Sequence, residues 1–166
     1  MKKDIYVKKS KFGKGIFANR NFKKGETICF LEGKRAGLEV IQALKKKKRE
    51  ILVDPLQISD DQYIDLNEPY LYINHSCGPN AGIKGENQLF ALKHIKKGEE
   101  IFFDYSTTMD EGIDCQCGSK KCRGKIGDFF TLPKSLQNKY IKLGAIPDFI
   151  RKKTNCHVMS NKKRGK

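Results

Sequence analysis

In the first third of the chain, apolar positions come in short bursts between glycine turns, which predicts small strands rather than long helices. Asp4–Lys9 sets Ile5 and Val7 against Lys8 and Lys9. Ser10–Lys14 reads as a turn, Gly15–Asn19 as a second strand, Asn21–Gly25 as a turn and Glu26–Leu31 as a third strand. The period then changes. Leu38, Val40, Ile41 and Leu44 fall on one helical face between Gly37 and Arg49, and the basic run Lys45–Arg49 suits a helix C-terminus. Ile51–Leu66 reads as two short strands around an acidic loop, and Gln88–Ile95 and Glu100–Phe103 as strands separated by Lys96-Lys97-Gly98. Residues 112–127 have no period. Pro133 then suits a helix start, with Leu136, Tyr140, Ile141 and Leu143 on one face and Gly144 as its stop. Pro147–Lys153 predicts a second short helix, and Asn155–Lys166 a frayed tail.

Composition narrows the class. At 166 residues, 38% hydrophobic and 32% charged, the chain suits one globular, strongly solvated domain. No apolar run is long enough for a membrane span and none follows a secretory pattern, so an intracellular protein without membrane attachment is expected. The net charge is +15, and residues 131–166 hold ten Lys or Arg against one acid, Asp148. Such a tail keeps a protein soluble or attracts polyanions, nucleic acid included. Glu50, Asp54, Asp60, Asp61, Asp65 and Glu68 form either a solvated acidic face or a docking surface for a basic peptide.

Four stretches carry chemistry. Phe12-Gly13-Lys14-Gly15-Ile16 holds a G-x-G, which is a hairpin turn or a close backbone approach to a ligand. Tyr72-Ile73-Asn74-His75-Ser76-Cys77-Gly78-Pro79-Asn80 puts an amide, an imidazole, a hydroxyl and a thiol just before a turn. Glu99-Glu100-Ile101-Phe102-Phe103-Asp104-Tyr105 is a strand ending in a phenol, either core packing or a hydroxyl presented to a site. Cys115-Gln116-Cys117-Gly118-Ser119-Lys120-Lys121-Cys122 spells C-x-C-x4-C, and three thiols this close can wrap a metal ion. In a chain without an export pattern, clustered cysteines suggest a metal or catalysis more than disulfides. Zinc needs a fourth ligand. Cys29 lies in a predicted strand and suits core, Cys156 lies in the tail, and Cys77 is the best placed.

These motifs, in this order, resemble the SET-domain family of protein-lysine methyltransferases with a post-SET zinc motif. The resemblance covers roughly residues 4–127, and Tyr63-Ile64-Asp65 resembles the family's strand there. It implies a mostly β SET-domain (β-clip) fold with short helices and a knot-like crossing, over residues 1–111. A zinc-bound post-SET segment would occupy 112–128, and short C-terminal helices with a basic tail 129–166. It implies S-adenosyl-L-methionine as cofactor, with Gly13, Lys14, Gly15, Tyr72, Asn74, His75 and Tyr105 as its contacts. Tyr105 would be the catalytic phenol and Phe103 would line the substrate channel. Cys77, Cys115, Cys117 and Cys122 would hold one structural zinc. The substrate would be a protein or peptide presenting a lysine, such as a histone tail, bound as an added strand. The chain departs from the family pattern at Leu71, where relatives with this zinc motif often carry Arg three residues before the Asn. No zinc-rich pre-SET region is expected ahead of the motifs. A zinc-stabilised binding module without catalysis and a tail-driven nucleic-acid binder are the competing classes.

Overall fold

A computed structural model describes residues 4–47, 55–108 and 112–163. Among the described residues there are five small sheets, four of which contribute to one core. β1 (Ile5–Ser10) and β2 (Gly13–Ala18) form an antiparallel hairpin in which Ser10 opposes Gly13. β3 (Thr27–Phe30) follows at its expected place, then β4 (Gly33–Gly37) leads into α1 (Leu38–Lys47). The pattern did not predict β4: its sequence, Gly-Lys-Arg-Ala-Gly, has one apolar side chain, and pairing with the more apolar β6 orders it. β5 (Leu56–Gln57) and β6 (Gln62–Leu66) are the two strands expected in Ile51–Leu66, although residues 51–54 lie outside the described residues. β4, β6 and β5 form one three-stranded sheet.

β7 (Asn74–His75) begins the polar string, and β8 (Ala81–Lys84) and β9 (Gln88–Ala91) form a hairpin that pairs with β3. The expected strand Gln88–Ile95 is thus cut short at Ala91. β10 (Phe102–Phe103) is what pairs of the expected Glu100–Phe103 strand. It runs parallel to β7, with Phe102 opposite Asn74 and Phe103 opposite His75. This pairing of segments far apart in sequence sets the end of one motif beside the start of another. β11 (Ile113–Asp114) and β12 (Lys125–Ile126) close the cysteine-rich loop.

The main core gathers Ile16, Phe22, Ile28, Leu31, Ile83, Leu89, Ile95 and Ile101, all essentially inaccessible to solvent. Cys29 lies in it, and burial pushes its thiol up to about 12. That fits a core role and makes a poor ligand. The outer face of β9 is covered by the C-terminal segment. Phe90 packs with Phe129, Leu132, Tyr140, Ile146 and Phe149. α2 (Lys134–Leu143) starts after Pro133 and ends at left-handed Gly144, as expected. α3 corrects the expectation of a short helix and a frayed tail: it runs without a break from Asp148 to Lys163. No Gly or Pro interrupts that stretch, and Phe149 and Ile150 anchor its first turn in the second apolar cluster. The Cys156 thiol lies outside the described side chains. No helix among the described residues is long and apolar enough to cross a membrane.

Candidate active site and thiol cluster

The site is built on β7 and β10. Asn80, 7% exposed, clamps the approach to it: its side-chain amide donates to Glu100 O at 2.7 Å and accepts from Phe102 N at 2.8 Å. Those bonds span Ile101 and hold β10, which ends two residues before Tyr105; Tyr105 opens a short 3-10 turn rather than closing the strand. The Tyr105 hydroxyl donates to Ile73 O at 2.7 Å. Its ring packs on Phe103 with centroids 4.9 Å apart and on His75 at 5.3 Å. An apolar slot lined by Leu56, Leu66, Tyr70, Ile73, Phe103 and Tyr105 opens at this point. The exposed side chain of Leu71 faces solvent rather than that slot.

On the other side of β7, the G-x-G motif meets Asn74. Gly13 turns the hairpin with φ of 93°. Gly15 admits Glu100: a Cβ at Gly15 would sit 2.3 Å from Glu100 Oε1, so any other residue would push that carboxylate away. Glu100 accepts from Ser10 Oγ at 2.7 Å and from Asn74 Nδ2 at 2.8 Å, and Asn74 Nδ2 also donates to Lys14 O at 3.0 Å. The Lys14 ammonium donates to Tyr72 Oη at 3.0 Å, and that hydroxyl donates to Glu68. Gly13, Lys14, Gly15, Tyr72 and Asn74 therefore come together. A cleft of about 420 Å³ lined by Asn80, Glu100, Phe102, Gly118 and Ser119 lies alongside, within the usual size range of small-molecule sites.

The thiols converge behind His75. Cys115 Sγ lies 3.7 Å from Cys77 Sγ and 3.6 Å from Cys122 Sγ, and the Cys77 N–H reaches Cys117 Sγ at 3.5 Å. A disulfide would need about 2.05 Å. Four thiolates about 2.3 Å from one central ion, set tetrahedrally, have edges of about 3.8 Å. The separations of Cys115 from Cys77 and from Cys122 match such edges. His75 is a fifth donor: its ring nitrogen, Cys77, Cys115 and Cys117 all lie within 4.8 Å of one another. The hydrogen bonds favour Cys122 over His75. His75 Nδ1 accepts from Tyr105 N at 3.2 Å, so in the neutral ring Nε2 carries the proton, and it points at Cys77 Sγ at 3.3 Å. Burial lowers the His75 pKa to about 4, against an opposing pull from Asp104, which keeps the ring neutral at pH 7. A protonated Nε2 donates to a thiolate and does not ligate, which favours Cys122 as the fourth donor for any ion held there.

Asp104, 2% exposed, is a hub that the sequence did not mark as functional. Arg123 grips both its oxygens at 2.8 Å, Tyr140 Oη of α2 donates to it at 2.7 Å, and Ser106 N donates at 3.1 Å. Burial pushes the Tyr140 phenol up, and the adjacent carboxylate pushes it further. One buried acid thus ties the thiol loop and the C-terminal helices to the residue before Tyr105. Arg123→Ala would leave the carboxylate buried without its charge partner, and the expected loss is about 3–5 kcal/mol of stability, read by denaturant unfolding. A loss under 1 kcal/mol would mean that water reaches Asp104. Asn80, Glu100, Asp104, Arg123 and Tyr140 are the site residues that motif reading missed. Only Glu100 and Asp104 lay inside a motif stretch already singled out for its phenol, and Asn80 closed another.

Comparison with known proteins agrees with this architecture. The SET-domain family matches residues 13–106. The variant-silencing SET domain-containing protein of Plasmodium falciparum is 36% identical over 139 residues, covering 72% of this chain and 6% of that protein. Histone-lysine N-methyltransferase ASHH3 of Arabidopsis thaliana is 31% identical over 159 residues, covering 87% of this chain and 44% of that protein. The chain thus spans less than half the length of either relative. Among solved structures, the methyltransferase domain of human histone-lysine N-methyltransferase SETMAR superposes with a TM-score of 0.61 at 22% identity, over 75% of this chain and 58% of that one. A ctPRC2 structure bound to S-adenosylmethionine gives 0.59 at 21% identity, over 66% and 16%. With the family match spanning residues 13–106, more than half of its length, the chain belongs to the SET-domain family.

Proposed function

We propose that this chain is an S-adenosylmethionine-dependent protein-lysine N-methyltransferase. The observation that carries this reading is the placement of Tyr105. Its phenol stands where the apolar slot meets the β7 segment, whose far side holds Asn74 against the G-x-G hairpin. The charges on the cofactor side suit an amino-acid moiety. Glu100 forms no ion pair among the described residues and can face an ammonium, and Lys14 can face a carboxylate. When bound, the cofactor supplies a methyl group on a sulfonium for in-line displacement by the lysine amine. Gly13, Lys14, Gly15, Tyr72, Asn74 and His75 would hold it, with Glu100 added to the set.

The protein's own part is placement and desolvation. A free lysine has a pKa of about 10.4, yet only the neutral amine is a nucleophile. The slot of Leu56, Leu66, Ile73 and Phe103 strips water from the amine and disfavours the ammonium. Tyr105, its proton held by Ile73 O, offers oxygen lone pairs to an amine N–H and fixes the direction of attack. The substrate reading is a lysine in a basic protein or peptide, a histone tail included, laid down as an added strand. Of the described acids between residues 50 and 68, Asp60 is paired with Lys153 and Glu68 accepts from Tyr72, while Asp61, which accepts from Ser59, and Asp65 form no ion pair among the described residues and can receive neighbouring basic residues; Glu50 and Asp54 lie outside the described residues. Such an enzyme acts inside the cell, in the cytoplasm or on chromatin.

Cys77, Cys115, Cys117 and Cys122 would hold one zinc ion, and its role would be structural. Isothermal titration separates the enzyme from a non-catalytic zinc module. S-adenosylmethionine should bind the native chain and bind Asn74→Ala at least tenfold more weakly. No heat from the native chain would favour the module.

Phe103 predicts product number. It packs on Tyr105 with no polar atom to anchor a water in the slot, which leaves room for a methylated amine to rotate and react again. Di- or trimethyl-lysine is expected under excess cofactor, and Phe103→Tyr should shift products toward monomethyl. Mass spectrometry finding only monomethyl product from the native chain would contradict this.

A further inference from the structure

A second cleft, of about 740 Å³, lies between the thiol loop and α2. Lys93, Lys120, Lys121, Arg123 and Lys139 line it, and no Asp or Glu does. Arg123 spends its charge on Asp104 beneath the floor. The four lysines form no ion pair among the described residues, and all four are exposed. They come from three separate segments: the bend after β9, the loop between Cys117 and Cys122, and α2. The thiol cluster fixes one wall, and Tyr140, bonded to Asp104, fixes the other. The lysines are therefore carried on two anchored walls of one trough and not on a loose tail.

We propose that this trough binds the phosphate backbone of double-stranded nucleic acid. Four uncompensated cations facing each other across a trough repel one another, and a ligand with closely spaced negative charges relieves that repulsion. A duplex carries one phosphate charge per about 1.7 Å of axis over two strands, which matches charges on two walls better than a peptide with scattered acids. Single strands are disfavoured because they need exposed aromatic platforms. The one aromatic in the lining, Tyr140, is 3% exposed and has its hydroxyl engaged. Recognition would go through phosphates and would not depend on base sequence. This inference does not rest on the methyl-transfer reading, and it assigns the polyanion to the trough rather than to the basic C-terminal helix.

Fluorescence anisotropy on the full, metal-loaded chain tests it, with a labelled DNA duplex, an RNA duplex, a single strand and an acidic peptide as probes. The duplexes should bind with a dissociation constant between about 1 and 100 µM near physiological salt, and the single strand more weakly. Lys121→Glu with Lys139→Glu should weaken duplex binding at least tenfold and lower the slope of log K against log salt by about 2, one phosphate contact per lysine. Thermal melting confirms that the pair is folded, and Lys120→Glu alone gives a milder version of the same loss. Arg151→Glu with Lys152→Glu on α3 should change affinity less than threefold. Overturning results are unchanged duplex affinity in the trough variants, a larger loss from the α3 pair, or an acidic peptide that outcompetes the duplexes. The DNA and RNA arms show which duplex fits better, and failure of both overturns the proposal.

Discussion

Tyr105→Phe should leave a folded, cofactor-binding protein whose methyl transfer is about 100- to 1,000-fold slower, the scale for removing one positioned polar group at a transition state. The ring does not depend on its oxygen for position. Phe103 and His75 hold its faces, and the Tyr105 backbone N–H is fixed by His75 Nδ1 at 3.2 Å. What the substitution removes is the bond to Ile73 O and the lone pairs beside the amine. The stability loss should be small, about 0.5–1.5 kcal/mol for one hydrogen bond. Single-turnover rates with cofactor affinity measured in parallel separate these effects. Near-native turnover would remove Tyr105 from the chemistry, and loss of cofactor binding alongside turnover would make its role structural.

Removing the metal should have the second large effect. In residues 112–127 only Cys115 and Ile126 are buried, too little apolar surface to order sixteen residues against chain entropy. Structural zinc supplies about 10–16 kcal/mol in small zinc-finger peptides, enough to make the difference. Strong chelator, or Cys117→Ser, should release the loop and with it the Arg123 grip on Asp104 and the Ser119 edge of the 420 Å³ cleft. Cofactor affinity and turnover should fall together, and amide protection should vanish in the loop while persisting at Ile16, Leu89 and Ile101 in the core. Cys29→Ser and Cys156→Ser should keep one zinc per chain. Full activity in chelator, with no zinc by elemental analysis, would end the zinc account.

The residues that sequence reading brought together were those with a chemical signature. The C-x-C-x4-C run announced a cluster, and Cys77 was singled out by its polar surroundings; both meet in space. The G-x-G and Asn74, each read as a cofactor contact, are joined by the Asn74–Lys14 bond across sixty residues, which no local pattern shows. The strands with alternating apolar residues were legible. β4 was not, because its order comes from a partner and not from its own side chains. The Asp104 hub was illegible for the same reason: an Asp before a Tyr, an Arg after a Cys and a Tyr on a helix face are ordinary until folding buries them together. The length of α3 was legible in principle, since nothing in Asp148–Lys163 breaks a helix, but its second half was read as a frayed terminus.

The central claim is that this chain moves methyl groups from S-adenosylmethionine to lysine. The most direct test incubates the metal-loaded protein with methyl-labelled cofactor and core histones, a basic peptide panel and a cell lysate, followed by mass spectrometry of every labelled product. The expected result is label on a lysine side-chain nitrogen, as di- or trimethyl-lysine, absent with Tyr105→Phe. Label on no lysine in any of these substrates, from protein that binds the cofactor and carries its metal, would contradict it.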